Sequence, residues 1–406
     1  MKCGLLGKKL GHSFSPKIHS MLGDYEYVLF EKNEEELTEF IRNGGWSGIN
    51  VTIPYKKEVY KLLDECSTEA KSLESVNTVV RRNGKLYGDN TDVYGFNYLL
   101  EYSGVDVNNR KVLVLGSGGA SVSVKYVLEK KGANVVIISR TGPDNYNNLE
   151  RHYDASAIVN TTPVGMYPDN LKAPLDVKVF TKCEAVFDIV YNPLSTKLIL
   201  DAKACGIKTY NGIRMLVAQA LRSSEIFTDS VIDVNEIERI NAILSDEMSD
   251  IVLIGMPGCG KTTVAAELSL RTGKPVYDCD GYICEQTGRT PAEIIKEDGE
   301  EAFRIIETNA LKDLCRMSGV IISTGGGCVT RSDNYPILHQ NGKVIRLVRD
   351  LDLLAVEGRP LSEKNGIVEL AKKREEMYRE FADIEVNNNL TPSQTAEKIV
   401  GLLKNQ

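Results

Sequence analysis

The stretch DIVLIGMPGCGKTTVAAELSLRTG, residues 250–273, carries the most specific pattern in this sequence. Its apolar start predicts a buried strand, and the amphipathic run that follows predicts a helix. Between them, Gly255, Gly260, Lys261 and Thr262 satisfy G-x-x-x-x-G-K-[ST], whose backbone N–H groups and helix N-terminus hold phosphate. We expect Lys261 at the β and γ phosphates of a nucleotide and Thr262 at Mg²⁺. A glycine-rich turn that binds nothing is the alternative.

Downstream of this turn, polar residues stand where a phosphate acceptor would bind. Asp278 and Asp280 lie two residues apart at a predicted strand end, so that one can hold the waters of the metal and the other the acceptor hydroxyl. Three glycines, 325–327, directly follow another predicted strand and permit close backbone approach to a ligand. Three arginines could together neutralise a small carboxylate and ATP, although each alone is more often a surface charge: Arg304, Arg359 and Arg374.

The segment from residue 250 to the C-terminus closely resembles shikimate kinase. The ordered signature is P-loop, D-x-D, G-E-x-x-F-R, G-G-G, R-P-L and R-x-x-x-Y. The resemblance implies that Lys261 and Asp280 are catalytic and that Thr262 and Asp278 organise Mg²⁺. It also implies an ATP site of Gly258, Cys259, Gly260, Lys261, Thr262, Thr263 and the lid residue Arg359. The implied shikimate site comprises Asp280, Arg304, Gly326, Gly327 and Arg374.

A second glycine turn lies in VLVLGSGGASVSVKYVLEKKG, residues 112–132. Gly116, Gly118 and Gly119 follow an apolar strand and precede a helix, as in a dinucleotide-binding fold, but the third fingerprint position is Ser121. The next strand ends in Ser139-Arg140-Thr141, where an NAD enzyme normally carries an acidic residue. Because a guanidinium suits a 2′-phosphate, this pattern favours NADP; a surface arginine is the alternative.

The first hundred residues place polar side chains at the ends of apolar strands, as a cleft for a polyhydroxylated ring requires. Ser13 and Ser15 precede a helix that Pro16 could open, so their hydroxyls could hold a carboxylate. Simple helix caps are the alternative for both serines. Further candidates are Thr52, Lys56, Asn77 and Asp92.

Residues 1–244 resemble shikimate dehydrogenase in the joint order of their motifs. These are S-x-S, N-V-T-x-P-x-K, V-N-T, N-T-D, G-x-G-G-A, N-x-T-x-x-G-M and G-x-x-M-L-x-x-Q. The resemblance implies that Lys56 and Asp92 form the catalytic pair. The implied substrate site comprises Ser13, Ser15, Thr52, Lys56, Asn77, Asp92, Tyr191 and Gln219. The implied NADP site comprises Gly116, Gly118, Gly119, Ala120, Ser139, Arg140, Thr141 and Gly212.

Together the motifs predict an α/β protein in three blocks. Residues 1–100, with return helices in 213–245, form an α/β substrate-binding domain; residues 101–212 form a Rossmann domain for NADP; residues 249–406 form a P-loop kinase domain with a parallel sheet. The start of the chain does not look like a signal peptide, and no apolar run is long enough to span a membrane, which indicates a cytoplasmic protein. A net charge of −7 without a basic stripe gives no reason to expect nucleic acid, and nine scattered cysteines indicate reduced thiols.

The two resemblances imply a bifunctional enzyme of chorismate and aromatic amino acid biosynthesis. Its first part would reduce 3-dehydroshikimate to shikimate with NADPH, and its second would convert shikimate to shikimate 3-phosphate with ATP and Mg²⁺. We expect no substrate tunnel between the parts. Two alternatives stay open: a quinate or quinate/shikimate dehydrogenase that uses NAD, fused to the kinase, and a sensor in which one half only binds its ligand.

Overall fold

Apolar runs alternate with amphipathic segments along the chain, and they become the strands and helices of the computed structural model, which describes residues 1–11, 13–354 and 364–404. The chain divides into two compact units. The first comprises Met1–Asn192 and Asp201–Leu244, and the second comprises Pro193–Leu200 and Ser245–Gln406. No helix within the described ranges is both long and apolar enough to cross a membrane.

The beginning of the first unit folds into a mixed sheet with helices. Its strands are β1 (Lys2–Gly7), β2 (Glu26–Glu31), β3 (Gly48–Val51), β4 (Glu65–Cys66), β5 (Thr78–Arg82) and β6 (Lys85–Asp89). Its helices are α1 (Ser15–Leu22), α2 (Glu34–Asn43), α3 (Lys56–Tyr60), α4 (Thr68–Leu73) and α5 (Thr91–Ser103). The strand order is β2-β1-β3-β5-β6-β4, and β5 runs antiparallel to both of its neighbours. The ends of β3, β5 and β6 therefore bring the Lys56, Asn77 and Asp92 regions together.

A parallel sheet follows in the same unit. Its strands are β7 (Lys111–Leu115), β8 (Asn134–Ile138), β9 (Ala157–Asn160), β10 (Ala185–Asp188) and β11 (Lys208–Asn211). They are joined by α6 (Gly119–Lys130), α7 (Lys197–Ala204) and two 3₁₀ turns, Leu149–His152 and Val177–Val179. The order is β11-β10-β9-β7-β8, so the strand order reverses between β7 and β9. In such sheets ligands bind at the carboxyl ends of the strands beside this point.

The chain then returns through α8 (Ile213–Thr228) and α9 (Asn235–Met248). Helix α8 packs against α5 and α1, and one of its faces is almost completely buried. Helix α8 thus follows the parallel sheet in sequence but packs with the helices of the mixed sheet.

The second unit is built on another parallel sheet. Its strands are β12 (Asp250–Ile254), β13 (Val276–Asp278), β14 (Ile321–Ser323), β15 (Gly342–Val348) and β16 (Ile384–Asn387). Its helices are α10 (Lys261–Thr272), α11 (Cys279–Thr287), α12 (Pro291–Asp298), α13 (Glu300–Cys315), α14 (Asn334–His339), α15 (Lys364–Phe381) and α16 (Pro392–Lys404), with 3₁₀ turns at Cys328–Thr330 and Leu351–Leu353. The order β13-β14-β12-β15-β16 places β12, which feeds the phosphate-binding turn, at the centre. The predicted α/β class is confirmed.

Candidate active sites

The two serines of the S-x-S motif lie at the start of α1. The helix begins at Ser15 itself, so Ser15 belongs to the first turn and does not precede it as the sequence predicted. The Ser15 backbone N–H donates to the Ser13 hydroxyl over 3.2 Å. Between them, the Phe14 ring meets Tyr191 edge to face, with 5.8 Å between ring centroids. The structure therefore brings Ser13, Ser15 and Tyr191 to one place.

Lys56 and Asp92 form a close ion pair. The Lys56 Nζ donates to Asp92 Oδ2 over 2.5 Å, and their side chains are only 16 % and 13 % exposed. The Asn77 amide donates to the other carboxylate oxygen over 2.9 Å. Because both oxygens of Asp92 are bonded, the Lys56 ammonium is held in one position.

Behind the pair lies a buried polar network that joins the predicted residues Asn77 and Gln219 to residues for which the sequence predicted no role. Asn77 Oδ1 accepts from the Thr91 N–H over 2.7 Å, which fixes the start of α5. The Asn50 amide donates to the Ser223 hydroxyl of α8 over 2.8 Å, and Thr91 Oγ1 donates to Gln219 Oε1 over 3.5 Å. Asn50 was visible as a polar residue inside an apolar strand, but Ser223 carried no comparable signal.

The contacts of Thr52 and Gly212 are with the protein's own backbone. Thr52 follows β3 and its N–H donates to the Leu6 carbonyl over 2.9 Å; no hydrogen bond in the described residues joins it to the Lys56 pair. Gly212 is buried at the start of α8, and a Cβ there would lie 2.0 Å from the Ile189 carbonyl oxygen. Only glycine fits at that point.

The first glycine turn forms an open cradle at the carboxyl end of β7. Gly116 has φ +106°, and a Cβ on it would lie 2.9 Å from Thr161 Oγ1, whereas a Cβ on Gly118 would meet nothing. A Cβ on Gly119 would lie 3.8 Å from Lys56 Cδ, so the turn faces the ion pair. Ser121 is 3 % exposed and donates to the Gly118 carbonyl over 2.6 Å, which shows how serine fits the third position. Ala120 follows in the first turn of α6.

The end of β8 presents a free cation. Ser139 and Thr141 flank Arg140, and the Gly142 N–H donates to the Ser139 hydroxyl over 3.0 Å, which curls this loop. Arg140 is exposed and makes no ion pair with any carboxylate of the described chain. Burial raises the pKa of the nearby Tyr146, and the charge of Arg140 opposes that shift. An unpaired guanidinium beside an open glycine turn fits a nucleotide that carries an additional phosphate.

The second glycine turn encloses its lysine. Gly255, Gly258 and Gly260 have φ values of +146°, +82° and +94°, which favour glycine. The Lys261 Nζ donates to the carbonyls of Gly255 and Met256 over 2.9 and 3.2 Å. The Cys259 thiol is buried in the core, while Thr262 and Thr263 are exposed at the first turn of α10.

Oxygen donors suited to Mg²⁺ converge on Thr262. Its hydroxyl donates to Asp278 Oδ2 over 2.9 Å and lies 3.2 Å from the hydroxyl of Ser323, a residue that no sequence motif indicated. Asp278 Oδ1 caps α11 by accepting from the Gly281 N–H over 3.0 Å. The predicted pair of Thr262 and Asp278 is therefore assembled beside the phosphate-binding turn.

The glycine run after β14 lies against the predicted acceptor residues. A Cβ on Gly325 would lie 3.2 Å from Asp280 Oδ1, and one on Gly327 would lie 2.1 Å from Arg304 Nη2. Arg374 Nη1 donates to the Gly326 carbonyl over 2.9 Å. Asp280, Arg304 and Arg374 thus surround one backbone segment, which glycine alone permits.

Glu307 is a further charged residue of this site that sequence reasoning missed. It is completely buried and accepts from Arg304 Nη1 over 2.8 Å, while its Oε1 has no hydrogen-bond partner within the described residues. Burial raises the pKa of Glu307, and the Arg304 charge opposes this. Its position three residues after Arg304 on α13 was the available signal. Arg359 lies outside the described residues.

The two sites define the class: a nicotinamide-nucleotide oxidoreductase joined to a P-loop kinase. Residues 5–79 match the family model of the shikimate dehydrogenase substrate binding domain, and residues 257–404 match that of shikimate kinase. The NADP(+) shikimate dehydrogenase of Clostridium perfringens is 39 % identical over 259 residues, which are 58 % of this chain and 96 % of that protein. The chain belongs to the shikimate dehydrogenase family and carries a shikimate kinase domain behind it.

Solved structures agree with this assignment. A chorismate mutase/shikimate 5-dehydrogenase fusion protein from Clostridium acetobutylicum is 35 % identical with a TM-score of 0.58, over 60 % of this chain and 97 % of that one. Shikimate 5-dehydrogenase from Thermus thermophilus in complex with NADP(H) and shikimate is 30 % identical with a TM-score of 0.55, over 60 % and 99 %. The expected bifunctional shikimate-pathway enzyme, with NADP and ATP as its nucleotides, is confirmed.

Proposed function

We propose that the first unit reduces 3-dehydroshikimate with Lys56 as proton donor and that the second phosphorylates the shikimate so formed, with Asp280 as its base. One observation carries this proposal. The Lys56–Asp92 pair lies directly beside Gly119 of the dinucleotide turn, so a proton donor and a hydride source can act on the same carbon–oxygen bond.

In the reductase site, bound NADPH supplies hydride to the carbonyl carbon. Lys56 donates its proton to the carbonyl oxygen, which becomes the new hydroxyl. Asp92 holds the ammonium in place over 2.5 Å and is itself held by Asn77. The hydroxyls of Ser13 and Ser15, at a helix N-terminus, bind the substrate carboxylate. Thr52, Tyr191 and Gln219 complete the substrate site.

Arg140 supplies the selectivity for NADP. It is exposed, unpaired with any carboxylate among the described residues, and positioned after β8, where a fold of this type binds the ribose. Its guanidinium can form charge-assisted hydrogen bonds with the 2′-phosphate. Gly118 and Gly119, where a Cβ would meet no protein atom closer than 3.8 Å, leave room for the pyrophosphate of the nucleotide, while Gly116 and Gly212 allow close packing of the protein around it.

In the kinase site the protein positions groups and stabilises charge. Lys261, whose Nζ bonds to carbonyls of the turn, would bind the β and γ phosphates. Thr262 and Asp278 would hold Mg²⁺, which would neutralise phosphate charge. Asp280 accepts the proton of the acceptor hydroxyl. Arg304 and Arg374, which both lie against the glycine run, bind the carboxylate. We also assign the enzyme to the cytoplasm, since none of the nine cysteines, each within the described residues, forms a disulfide.

A coupled assay tests the proposal. The full chain is mixed with 3-dehydroshikimate, NADPH and MgATP, and both NADPH absorbance and shikimate 3-phosphate are followed. We expect NADPH oxidation first and then phosphate ester in equal amount. The proposal fails if 3-dehydroshikimate does not oxidise NADPH, or if added shikimate yields no ADP. A preference for NAD that Arg140→Ala leaves unchanged would instead favour the NAD-dependent alternative.

A further inference from the structure

An arginine lies in the middle of a buried strand of the second unit, paired across the sheet with Ile254 of β12. Arg346 stands between Ile345 and Leu347 on β15, and its side chain is 8 % exposed. Arginine is rarely buried to this extent unless it is paired. Its carboxylate partners therefore indicate what the residue does.

Two carboxylates from different elements share the Arg346 guanidinium. Its Nη2 donates to Glu375 Oε2 over 2.5 Å, and its Nη1 lies 3.2 Å from Glu375 Oε1, which makes a two-point contact with α15. The same Nη1 donates to Glu385 Oε1 of β16 over 2.7 Å. The bond from Arg346 is also the main cause that holds the pKa of Glu375 below its usual value.

Glu375 directly follows Arg374, the residue of α15 that reaches the glycine run. Arg374 Nη1 and the Tyr378 hydroxyl both donate to the Gly326 carbonyl. The Arg346 guanidinium also lies 5.4 Å from the centroid of the Tyr378 ring, within the range of a cation–π contact. One cation on β15 therefore contacts α15 at Glu375 and Tyr378, one and four residues after Arg374.

We propose that Arg346 and Glu375 position Arg374 for binding the carboxylate of the phosphate acceptor. Arg346 is a positioning residue: it acts through α15 and does not touch the acceptor. The two-point geometry matters because a planar guanidinium fixes both the distance and the rotation of the carboxylate it binds. The inference rests on the role of Arg374 proposed above.

Glu385 provides the matched control within the same cluster. It pairs with the same guanidinium, but it lies on β16 and makes no hydrogen bond to α15 in the described residues. Both glutamates are part-exposed, at 39 % and 46 %, but Glu375 also pairs with the exposed Arg379 of α15 over 3.0 Å. Arg379→Gln, which removes that second pair alone, is therefore measured beside the two glutamate variants. A merely structural role of the cluster predicts equal effects, whereas positioning of Arg374 predicts a difference.

The test measures kinase kinetics of the full chain with Glu375→Gln, Glu385→Gln, Arg346→Met and Arg346→Lys. We expect the KM for shikimate to rise about tenfold in Glu375→Gln and Arg346→Met, which corresponds to ~1.4 kcal/mol of lost binding. The KM for ATP and kcat should change by less than about twofold. Arg346→Lys should recover part of the loss, since it restores the charge but not the two-point contact.

The outcomes separate this inference from the proposed function. Equal KM values in Glu375→Gln and Glu385→Gln, or a loss of kcat with unchanged KM, overturn the positioning role. Glu375→Gln keeps the proposal testable if Arg346→Met does not fold. If wild type phosphorylates shikimate but Arg374→Met leaves the KM for shikimate unchanged, both the role of Arg374 and this inference are wrong. Absence of phosphorylation by wild type overturns the proposed kinase function itself.

Discussion

Asp250 is the first residue of β12, the strand that leads into the phosphate-binding turn, and its buried carboxyl makes the stability of the protein depend on pH. It is 1 % exposed, its Oδ1 accepts from the Val320 N–H over 3.0 Å, and its Oδ2 has no hydrogen-bond partner in the described residues. Burial raises its pKa from 3.8 to about 7, against the opposing effect of the Val320 N–H. The folded state therefore binds this proton more tightly than the unfolded state does.

The stability of the second unit should consequently fall as pH rises. The contribution of the Asp250 proton is complete below the unfolded pKa of 3.8 and is lost as pH rises to the folded pKa of about 7. Asp250→Asn removes this dependence. Since each tenfold difference in proton affinity corresponds to ~1.4 kcal/mol, we expect the variant to be more stable than wild type by a few kcal/mol near about pH 8 and by only about 1 kcal/mol near about pH 4.5.

Denaturant unfolding at the two pH values measures this difference. Asp313→Asn, which changes an exposed carboxyl on α13, is the control and should leave the curves of wild type unchanged. An Asp250→Asn protein that is less stable than wild type near about pH 8 contradicts the account of the buried carboxyl.

The two catalytic lysines should be separable. Lys56→Ala removes the proton donor and should lower ketone reduction by roughly 10² to 10⁴, with phosphorylation within about twofold of wild type. Lys261→Met should do the reverse, because it removes the charge at the transferred phosphate. Both activities are measured on each purified chain. Lys57→Ala, the exposed neighbour, is the control; if either catalytic variant silences both reactions in a folded chain, the sites are not independent.

Residues of the site were predictable where chemistry imposes a pattern along the chain. Gly255, Gly260 and Lys261 must stand at fixed spacing because one turn and one helix start hold the phosphate. Glu307 was missed, and Asn50 stood in a motif without a predicted role, because the partners of both residues set their roles. The bond from Asn50 to Ser223 joins residues 173 positions apart, and nothing local to either residue indicates the other.

At the scale of elements, buried apolar runs predicted most strands. The run KVLVL becomes β7 with four of its five residues buried, as expected for a parallel strand covered on both faces. The antiparallel hairpin of β5 and β6 was not predicted. Its signal was Asn83-Gly84, which adopt φ values of +51° and +78° between the two strands.

The start of α8 depends on one glycine. Gly212→Ala would place a Cβ 2.0 Å from the Ile189 backbone oxygen, which cannot move without disturbing the sheet. We expect a loss of more than ~2 kcal/mol in the stability of the first unit, and reduced dehydrogenase activity because α8 carries Gln219. Kinase activity should be retained. Thermal unfolding and both activity assays measure these effects.

Gly45→Ala is the matched control for this change. A Cβ on Gly45 would meet no atom within 4 Å, so this variant should unfold like wild type. If Gly212→Ala were as stable as Gly45→Ala, the close approach of the Gly212 and Ile189 backbones would not govern the start of α8.

At the scale of the molecule, each unit holds a complete set of the candidate residues that the structure describes. The Lys56 and Gly119 groups lie in the first unit, and the Lys261, Asp280 and Arg304 groups lie in the second. The intermediate can then pass through solution. The sequence predicted three blocks because each carries its own motif, and this division stays a prediction beside the two compact units of the structure. The distribution of polar contacts inside each unit required the structure.

A mixture of the two variants that each keep one activity tests this independence. Equal amounts of Lys56→Ala and Lys261→Met should convert 3-dehydroshikimate to shikimate 3-phosphate at a steady rate similar to that of wild type with the same number of active sites. Free shikimate should accumulate first in both samples, and chromatography of timed samples measures it. A mixture that is much slower than wild type would indicate direct transfer within one chain.

Two long-range hydrogen bonds also determine when the first unit can finish folding during translation. One joins Asn50 to Ser223, and the other joins Tyr25 to Ser224 over a separation of 199 residues. A growing polypeptide cannot close these contacts until α8 has left the ribosome, and contacts of such long range form slowly. The polar network behind Lys56 is thus finished only as synthesis of the kinase sequence begins. During translation, the reductase site stays incomplete until nearly the last of its own residues has emerged.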